Sequence, residues 1–294
     1  MSSLIWTPLK LIEWTSKYLS QKGIPSTRLE AELLLAHSLN LKRIQLYTQF
    51  DRPLSEKELA DFKILLKRRA DREPLAYILG KKEFYSMEFI VSKDVLIPRP
   101  ETELLVEQVL ASPLVKRGLR GVHPIQILDI GTGSACIAIA LAKYLPQTQI
   151  TALEISEAAL NIAKQNAQKH GVENQIEFIQ GDFLKSEVRS QKSEFDIIVS
   201  NPPYIASSEI EKLEPELRFE PHSALDGGID GLDFYKMILP WAFKHLRPEG
   251  HLFLEIGYNQ GKDLTELAQN CGFSSAKILK DLDNKDRILH STLS

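Results

Sequence analysis

The sequence predicts an α/β protein: a mostly parallel sheet of seven strands flanked by helices, preceded by a small helical bundle. Three observations carry that prediction. After residue 124, short apolar runs alternate with helical patterns, the order that a parallel sheet with right-handed crossovers requires. Residues 1–76 show helical spacing and no convincing strand alternation. A glycine-containing turn, Asp129-Ile130-Gly131-Thr132-Gly133-Ser134-Ala135, joins the first strand of the alternating region to its first helix.

In the N-terminal segment, apolar residues recur at helical spacing through Leu11, Ile12, Trp14, Thr15, Tyr18 and Leu19, and again through Leu29, Leu33, Leu34 and Ala36. Ser26 or Thr27 is placed to cap the second helix, and Ser55-x-x-Glu58 reads as a capping box. The basic run Lys63–Arg72 reads as a solvated helix face. Glu73-Pro74 interrupts the pattern. Residues 77–97 read as a linker, in which Phe84–Val91 and Val95–Ile97, separated by Ser92-Lys93-Asp94, form a short hairpin. A helix with Leu104, Leu105, Val106, Val109 and Leu110 on one side opens the third region, 98–294.

There the expected strands are Gln126–Ile130, Gln149–Glu154, Ile176–Gln180, Asp196–Ser200 and His251–Ile256. Helices Ala135–Tyr144 and Ala158–His170 alternate with them, the latter ended by Gly171. Two further strands, Ala276–Leu279 and Arg287–His290, suit an antiparallel edge.

Composition narrows the function classes. The 294 residues are 43% hydrophobic and 26% charged, which suits a soluble protein with a sizeable core. A net charge of −3 argues against a broad, salt-dependent grip on nucleic acid. The two cysteines, Cys136 and Cys271, form no CxxC or Cys/His cluster, so neither a disulfide framework nor a zinc site is expected. The histidines lack HxxxH spacing, and no metal is expected. Met1–Lys10 has no basic stretch followed by an apolar one, and no uncharged apolar run approaches transmembrane length. A cytoplasmic protein, away from membranes, is the expectation.

The glycines of the turn after the first strand let a ligand approach the backbone. Glu154, ending the next strand, offers a carboxylate to ribose hydroxyls. The same residues also suit a plain strand-to-helix turn with a surface glutamate. A dinucleotide and S-adenosylmethionine compete for such a loop. Cys136 stands where a dinucleotide fingerprint wants Gly or Ala, and Asp129 would repel a pyrophosphate but favour a ligand with a cationic centre and an amino group. Gly181-Asp182-Phe183 can supply an acceptor and a ring to an adenine, or a helix N-cap and a core aromatic.

The most informative residues are Asn201-Pro202-Pro203-Tyr204, which follow the apolar run ending at Ser200. Two prolines make a stiff turn that offers carbonyl oxygens and no N–H donors. The Asn201 side chain adds another acceptor at the carboxyl end of the sheet, where open α/β folds bind ligands. Such a cluster of acceptors is suited to gripping both hydrogens of an –NH2 group.

With Asp129–Ala135, Glu154, Asp182-Phe183 and Asn201–Tyr204 in this order, the chain resembles a class I S-adenosylmethionine-dependent methyltransferase. Ile97-Pro98-Arg99-Pro100-Glu101-Thr102-Glu103, Arg218-Phe219-Glu220-Pro221 with Ala224-Leu225, Glu255-Ile256-Gly257 with Gln260-Gly261, and Asp283-Asn284-x-x-Arg287 narrow the resemblance to the peptide chain release factor (glutamine-N5) methyltransferase family. The likeness covers essentially the whole chain.

It implies a Rossmann-like fold, S-adenosylmethionine as cofactor, and as substrate the glutamine of the Gly-Gly-Gln loop of class 1 release factors, docked with the help of the helical domain. Asp129, Gly131, Thr132, Gly133, Ser134, Ala135, Glu154, Asp182, Phe183 and Asn201 are the implied cofactor residues. Asn201, Pro202, Pro203 and Tyr204 are implied to hold the glutamine amide, with Asn201, Pro202 and Tyr204 as the catalytic set. Arg99 and Glu101 are expected at the mouth of the site; a surface ion pair between them would read the same way. Ala135, Glu154 and Phe183 depart from the commoner Gly, Asp and Trp but keep a small residue, a carboxylate and an aromatic plate.

A related ribosomal-protein methyltransferase would carry Pro-Arg-Ser-Pro in place of Pro98-Arg99-Pro100-Glu101, and an adenine-amino DNA methyltransferase would need a DNA-recognition region. No nucleic-acid partner is expected, and a monomer is.

Overall fold

The computed structural model describes residues 5–118, 124–184 and 195–294. Met1–Leu4, part of the stretch read for a leader, lie outside them. The chain divides into two compact units: one runs to Gly80 and includes Pro215–Phe219, and the other holds Lys81–Glu214 and Glu220–Ser294. Among the described residues, no helix is long and apolar enough to cross a membrane.

The first unit is helical: α1 (Pro8–Gln21), α2 (Thr27–Ser38), α3 (Arg43–Tyr47), α4 (Glu56–Ala70) and α5 (Leu75–Leu79). Its core holds Ile12, Leu19 and Leu34 from the helical spacing seen in the sequence, joined by Leu35, Leu46 and Phe62, whereas Trp14 and Leu29 of that pattern are exposed. The capping box is formed: the Glu58 N–H donates to Ser55 Oγ (3.3 Å) and the Ser55 N–H to Glu58 Oε2 (2.8 Å).

Two expectations about this unit need correction. Ser26 stands at the N-cap of α2 with φ +52 and makes no side-chain cap, while the Thr27 hydroxyl meets Ser16 Oγ at 2.9 Å. The run Lys63–Arg72 is not simply a solvated face. Arg69 is buried, donating to Glu30 Oε2 (2.6 Å) and to Glu216 Oε1 (3.1 Å), and Arg72 shares Glu216 at 3.0 Å.

The second unit opens with a hairpin, β1 (Lys81–Phe84) and β2 (Met87–Ile90). It differs from the expected one. The turn is Tyr85-Ser86, both at positive φ (+50 and +59), as a two-residue turn of type I′ requires. Residues 95–97 form no strand. The apolar density of Phe84–Val91 concealed the turn because neither turn residue is Gly or Asn. Phe84 and Phe89 are buried in the cluster that holds Leu105, Val109 and Leu141.

Then follow α6 (Thr102–Ala111), α7 (Pro113–Gly118), β3 (Ile125–Ile130), α8 (Cys136–Tyr144), β4 (Thr148–Glu154), α9 (Glu157–His170), β5 (Ile176–Gln180), β6 (Phe195–Ser200), α10 (Ser207–Ile210), α11 (Asp233–His245), β7 (Leu246–Glu255), α12 (Gly261–Asn270), β8 (Ser275–Lys280) and β9 (Asp286–Thr292).

The strand order of the large sheet is β5-β4-β3-β6-β7-β9-β8. The first five strands run parallel, and β9 pairs antiparallel with both β7 and β8. β3 and β6 are central and buried on both faces, which explains their unbroken apolar runs. The chain moves outward from β3 to β4 and β5, then returns to place β6 on the other side of β3. This reversal opens a crevice at the carboxyl ends of β3 and β6, where such folds bind ligands.

Candidate active site

A cavity of about 360 Å³ lies at that crevice, within the size range of small-molecule sites. Its walls come from the loops after β3, β4, β5 and β6 and from the segment before α6. Of the residues singled out in the sequence, Gly131, Thr132, Gly133, Ser134, Glu154, Asp182, Phe183, Asn201, Pro202, Pro203 and Arg99 line it.

The loop after β3 is fixed by the neighbouring strand end. The N–H groups of Gly131 and Thr132 donate to the Leu153 carbonyl at 2.8 and 3.0 Å. Gly133, at φ +56, turns its N–H onto Glu154 Oε2 (2.9 Å), and Glu154 Oε1 accepts the Ser156 N–H (3.0 Å). Each oxygen of a carboxylate has two acceptor sites, so Glu154 keeps capacity for further donors. Asp182 Oδ1 accepts the Leu184 N–H at 3.0 Å in a turn, and Phe183 meets Trp241 edge to face, centroids 6.0 Å apart.

Asp129 was expected beside the ligand. It is fully buried beneath the loop, where the Thr132 hydroxyl donates to Oδ2 at 2.6 Å, and it does not line the cavity. Burial pushes its carboxyl up to about 7, against the pull of that hydroxyl and of the Ala138 N–H. Ala135 is likewise buried, at the N-cap of α8 with φ +62, a left-handed conformation that glycine adopts without steric cost.

The Asn201–Tyr204 segment is held from several sides. The Ser200 hydroxyl donates to the Ile130 carbonyl at 2.7 Å, tying the ends of β6 and β3 together. Gln260 Nε2 donates to the Tyr204 carbonyl (3.0 Å) and to that of Gly231 (3.1 Å). Gly231, at φ +74, passes so close that a Cβ there would lie 2.5 Å from the Tyr204 oxygen. Asp226-Gly227-Gly228 forms a turn that braces this segment: Ile205 and Asp226 form a bridge, and the Gly227 N–H donates to the Ile205 carbonyl at 2.8 Å.

Tyr204 does not line the cavity. Its ring packs against the apolar cluster that includes Leu254 and Ile256, and burial pushes its hydroxyl up to about 12. This packing closes the turn onto the sheet.

Arg99 and Glu101 do not pair with each other in the hydrogen bonds and ion pairs seen among the described residues. Arg99 Nη2 donates to Glu220 Oε1 at 2.6 Å, and the buried Glu220 also accepts the Ile97 N–H at 3.1 Å. Glu101 is exposed and does not line the cavity.

Asn201 itself is oriented from behind. Its Nδ2 donates to Thr102 Oγ1 at 3.1 Å, and Thr102 in turn donates to Glu255 Oε2 at 2.7 Å. Among the described residues, Asn201 Oδ1 accepts no hydrogen bond, so an acceptor remains available at the cavity wall. Sequence reasoning gave no role to Thr102 or Glu255, although both stand in the quoted motifs. Asn166 was missed altogether: fully buried on α9, it accepts the Ile90 N–H (2.7 Å) and donates to the Ile90 and Ser134 carbonyls (3.0 Å each), coupling the hairpin to the glycine loop. A lone Asn in a helix otherwise built from Ala, Leu and Ile on its buried side was the available signal.

Comparison with known proteins agrees with this architecture. Residues 10–80 match the family described as PrmC N-terminal domain, and residues 123–272 match a methyltransferase domain. A release factor glutamine methyltransferase of Geobacter sulfurreducens is 44% identical, covering 97% of this chain and 96% of its own. The protein of that name from Rhodopirellula baltica is 40% identical, covering 97% and 95%. A solved methyltransferase from Pyrococcus furiosus, 20% identical, covers 77% of this chain and 98% of its own with a TM-score of 0.51, a likeness of fold. With such identity sustained along nearly its whole length, the chain belongs to the release factor glutamine methyltransferase family.

Proposed function

We propose that this protein works in the cytoplasm, where it transfers a methyl group from S-adenosylmethionine to the side-chain nitrogen of the glutamine in the Gly-Gly-Gln loop of class 1 release factors. The observation that carries this reading is the Asn201 amide, turned so that its oxygen is the open group, at the switch point of the sheet in a chain of this family.

The residues present suit the cofactor. Glu154 has acceptor capacity for ribose hydroxyls, and Phe183 with apolar neighbours Ile130, Leu153 and Ile155 suits an adenine. Gly131, Thr132, Gly133 and Ser134 supply a close-lying backbone; Asp129 and Ala135 support that loop from beneath. When bound, S-adenosylmethionine supplies an electrophilic methyl group on a positively charged sulfur.

An amide nitrogen is a poor nucleophile because its lone pair is delocalised into the carbonyl. Asn201 Oδ1 and the Pro202 carbonyl each accept one of its hydrogens, fixing the nitrogen with its π lone pair directed at the electrophile. As positive charge develops on nitrogen, both hydrogen bonds strengthen, so they favour the transition state over the ground state. Pro203 stiffens the turn, and the surplus proton leaves to water. Tyr204 contributes by anchoring the turn, and Arg99, held by Glu220, orders the mouth of the site. The helical unit aids docking of the release factor; Trp14, exposed and stacked on Tyr18 at 5.3 Å, is a suitable contact.

The test is transfer of labelled methyl from S-adenosylmethionine to purified release factor, run beside a Gly-Gly-Gln→Gly-Gly-Ala release factor and duplex DNA. Label on the intact release factor alone is the expected result. Label on DNA, or equal label on the Ala form, overturns the substrate assignment.

A further inference from the structure

An Asn side chain is nearly symmetric in shape: oxygen and NH2 exchange places by a half-turn of the amide, and only hydrogen bonding decides which faces the cavity. The proposed grip on a substrate NH2 works in one of the two states. With Oδ1 outward the two amides are complementary; with Nδ2 outward two donors face each other.

Behind Asn201 stand two buried groups, Thr102 and Glu255, contributed by the start of α6 and the end of β7. A hydroxyl has one proton to give. Glu255, when ionised, can only accept, so it takes the Thr102 proton, as the 2.7 Å separation indicates. The Thr102 oxygen is then left with lone pairs alone, and these accept only the Nδ2 side of Asn201, at 3.1 Å. We propose, resting on the function argued above, that Thr102 and Glu255 are positioning residues that set the Asn201 amide with its oxygen toward the substrate nitrogen.

The chain of bonds also has a reversed form. A protonated Glu255 donates to Thr102 Oγ1, whose proton then turns to Asn201, and the amide flips to meet it. Apart from the protons, no atom need move beyond that half-turn. Arg287 from β9, Arg99 and Glu101 ahead of α6, Tyr204 after β6, Tyr235 on α11 and Cys136 on α8 are the charged and titratable groups that face Glu255. Tyr235 donates to the Glu255 backbone carbonyl at 2.7 Å and leaves the carboxylate to Thr102. Burial raises the Glu255 carboxyl to about 7, opposed by the Thr102 hydroxyl and Arg287, so the reversal falls in an accessible pH range.

The test compares the full-length wild type with Thr102→Val, Thr102→Ser and Glu255→Gln in release factor methylation, with cofactor affinity measured by calorimetry. Thr102→Val, of nearly equal shape, should lower kcat by ~10–100-fold while cofactor affinity stays within about 3-fold; Thr102→Ser should restore kcat to within about 3-fold of wild type. The wild-type kcat should rise with pH through about 7, and Glu255→Gln should lose that limb. Wild-type turnover by Thr102→Val, or a Ser variant as impaired as Val, overturns the proposal.

Neutron diffraction reads the orientation without any assay. At high pD the Thr102 deuteron should point at Glu255 and an Asn201 Nδ2 deuteron at Thr102; the opposite arrangement refutes the positioning role. Failure of the wild type to methylate a release factor would instead refute the function, with the deuteron positions still deciding the orientation.

Discussion

In the helical unit, Arg69 is buried between Glu30 and Glu216, and Glu58 is held down to about 2 chiefly by its hydrogen bond from Arg52, helped by the Ser55 N–H. Under the cleft, Asp129 and Glu255 are also buried, but each meets a threonine hydroxyl, and neither has an ion-pair partner among the described residues. Both are pushed up to about 7. The two regions are built for different ends. A carboxylate locked to a guanidinium keeps one charge across the working pH range and serves architecture. A carboxylate beneath a hydroxyl changes state near neutrality, and whatever the hydroxyl touches follows it.

That contrast can be broken in order of expected effect. Arg69→Met strands two carboxylates around an apolar side chain and should destabilise the protein by about 3 kcal/mol, read by denaturant unfolding; a change below about 1 kcal/mol would reduce this buried pair to the status of an exposed one. Asn201→Ala should lower kcat by ~10²–10³, about 2.7–4 kcal/mol on the barrier, read at saturating cofactor. Near-normal turnover with cofactor bound would remove Asn201 from the mechanism.

The pH dependence of stability separates the regions by sign. A carboxyl whose pKa is raised on folding contributes stability that is complete below its unfolded value near 4.5 and is lost as pH rises through about 7. Glu255 alone should account for a loss of about 3 kcal/mol across that window, and Glu255→Gln should flatten it. Glu58, shifted the other way, contributes stability that is present above its unfolded value and lost as pH falls toward about 2. Thermal unfolding from acid to neutral pH that is unaffected by Glu255→Gln would show the carboxyl to be unstrained in the folded protein.

The smallest effect concerns Ala135. Replacement by Gly relieves a left-handed conformation that costs about 1–2 kcal/mol but removes a buried methyl worth about 0.8, so melting should rise slightly or stay level. Clear destabilisation would mean that the methyl's packing outweighs the strain.

Much of this molecule is readable in its sequence because its signals are local. β3, β4 and β6 are buried runs that end in a glycine turn, a carboxylate and Asn-Pro-Pro-Tyr, and nothing distant is needed to recognise them. The hairpin turn at Tyr85-Ser86 was hidden because its residues are unusual for positive φ. The partners of the site residues were hidden for another reason. Arg99 meets Glu220 from 121 positions away, and Thr102 meets Glu255 from 153. Periodicity and spacing carry no information across such separations; only the closed sheet brings these groups together. The cleft lining was therefore legible, and the scaffolding that aims it was not.

The most direct test of the account is the structure of this chain with the demethylated cofactor and a peptide containing Gly-Gly-Gln. The glutamine nitrogen should lie about 3 Å from both Asn201 Oδ1 and the Pro202 carbonyl oxygen, on the cavity side of the turn. A glutamine that presents its carbonyl to Asn201, or a peptide seated away from the Asn201–Tyr204 turn, would contradict the aimed-acceptor mechanism.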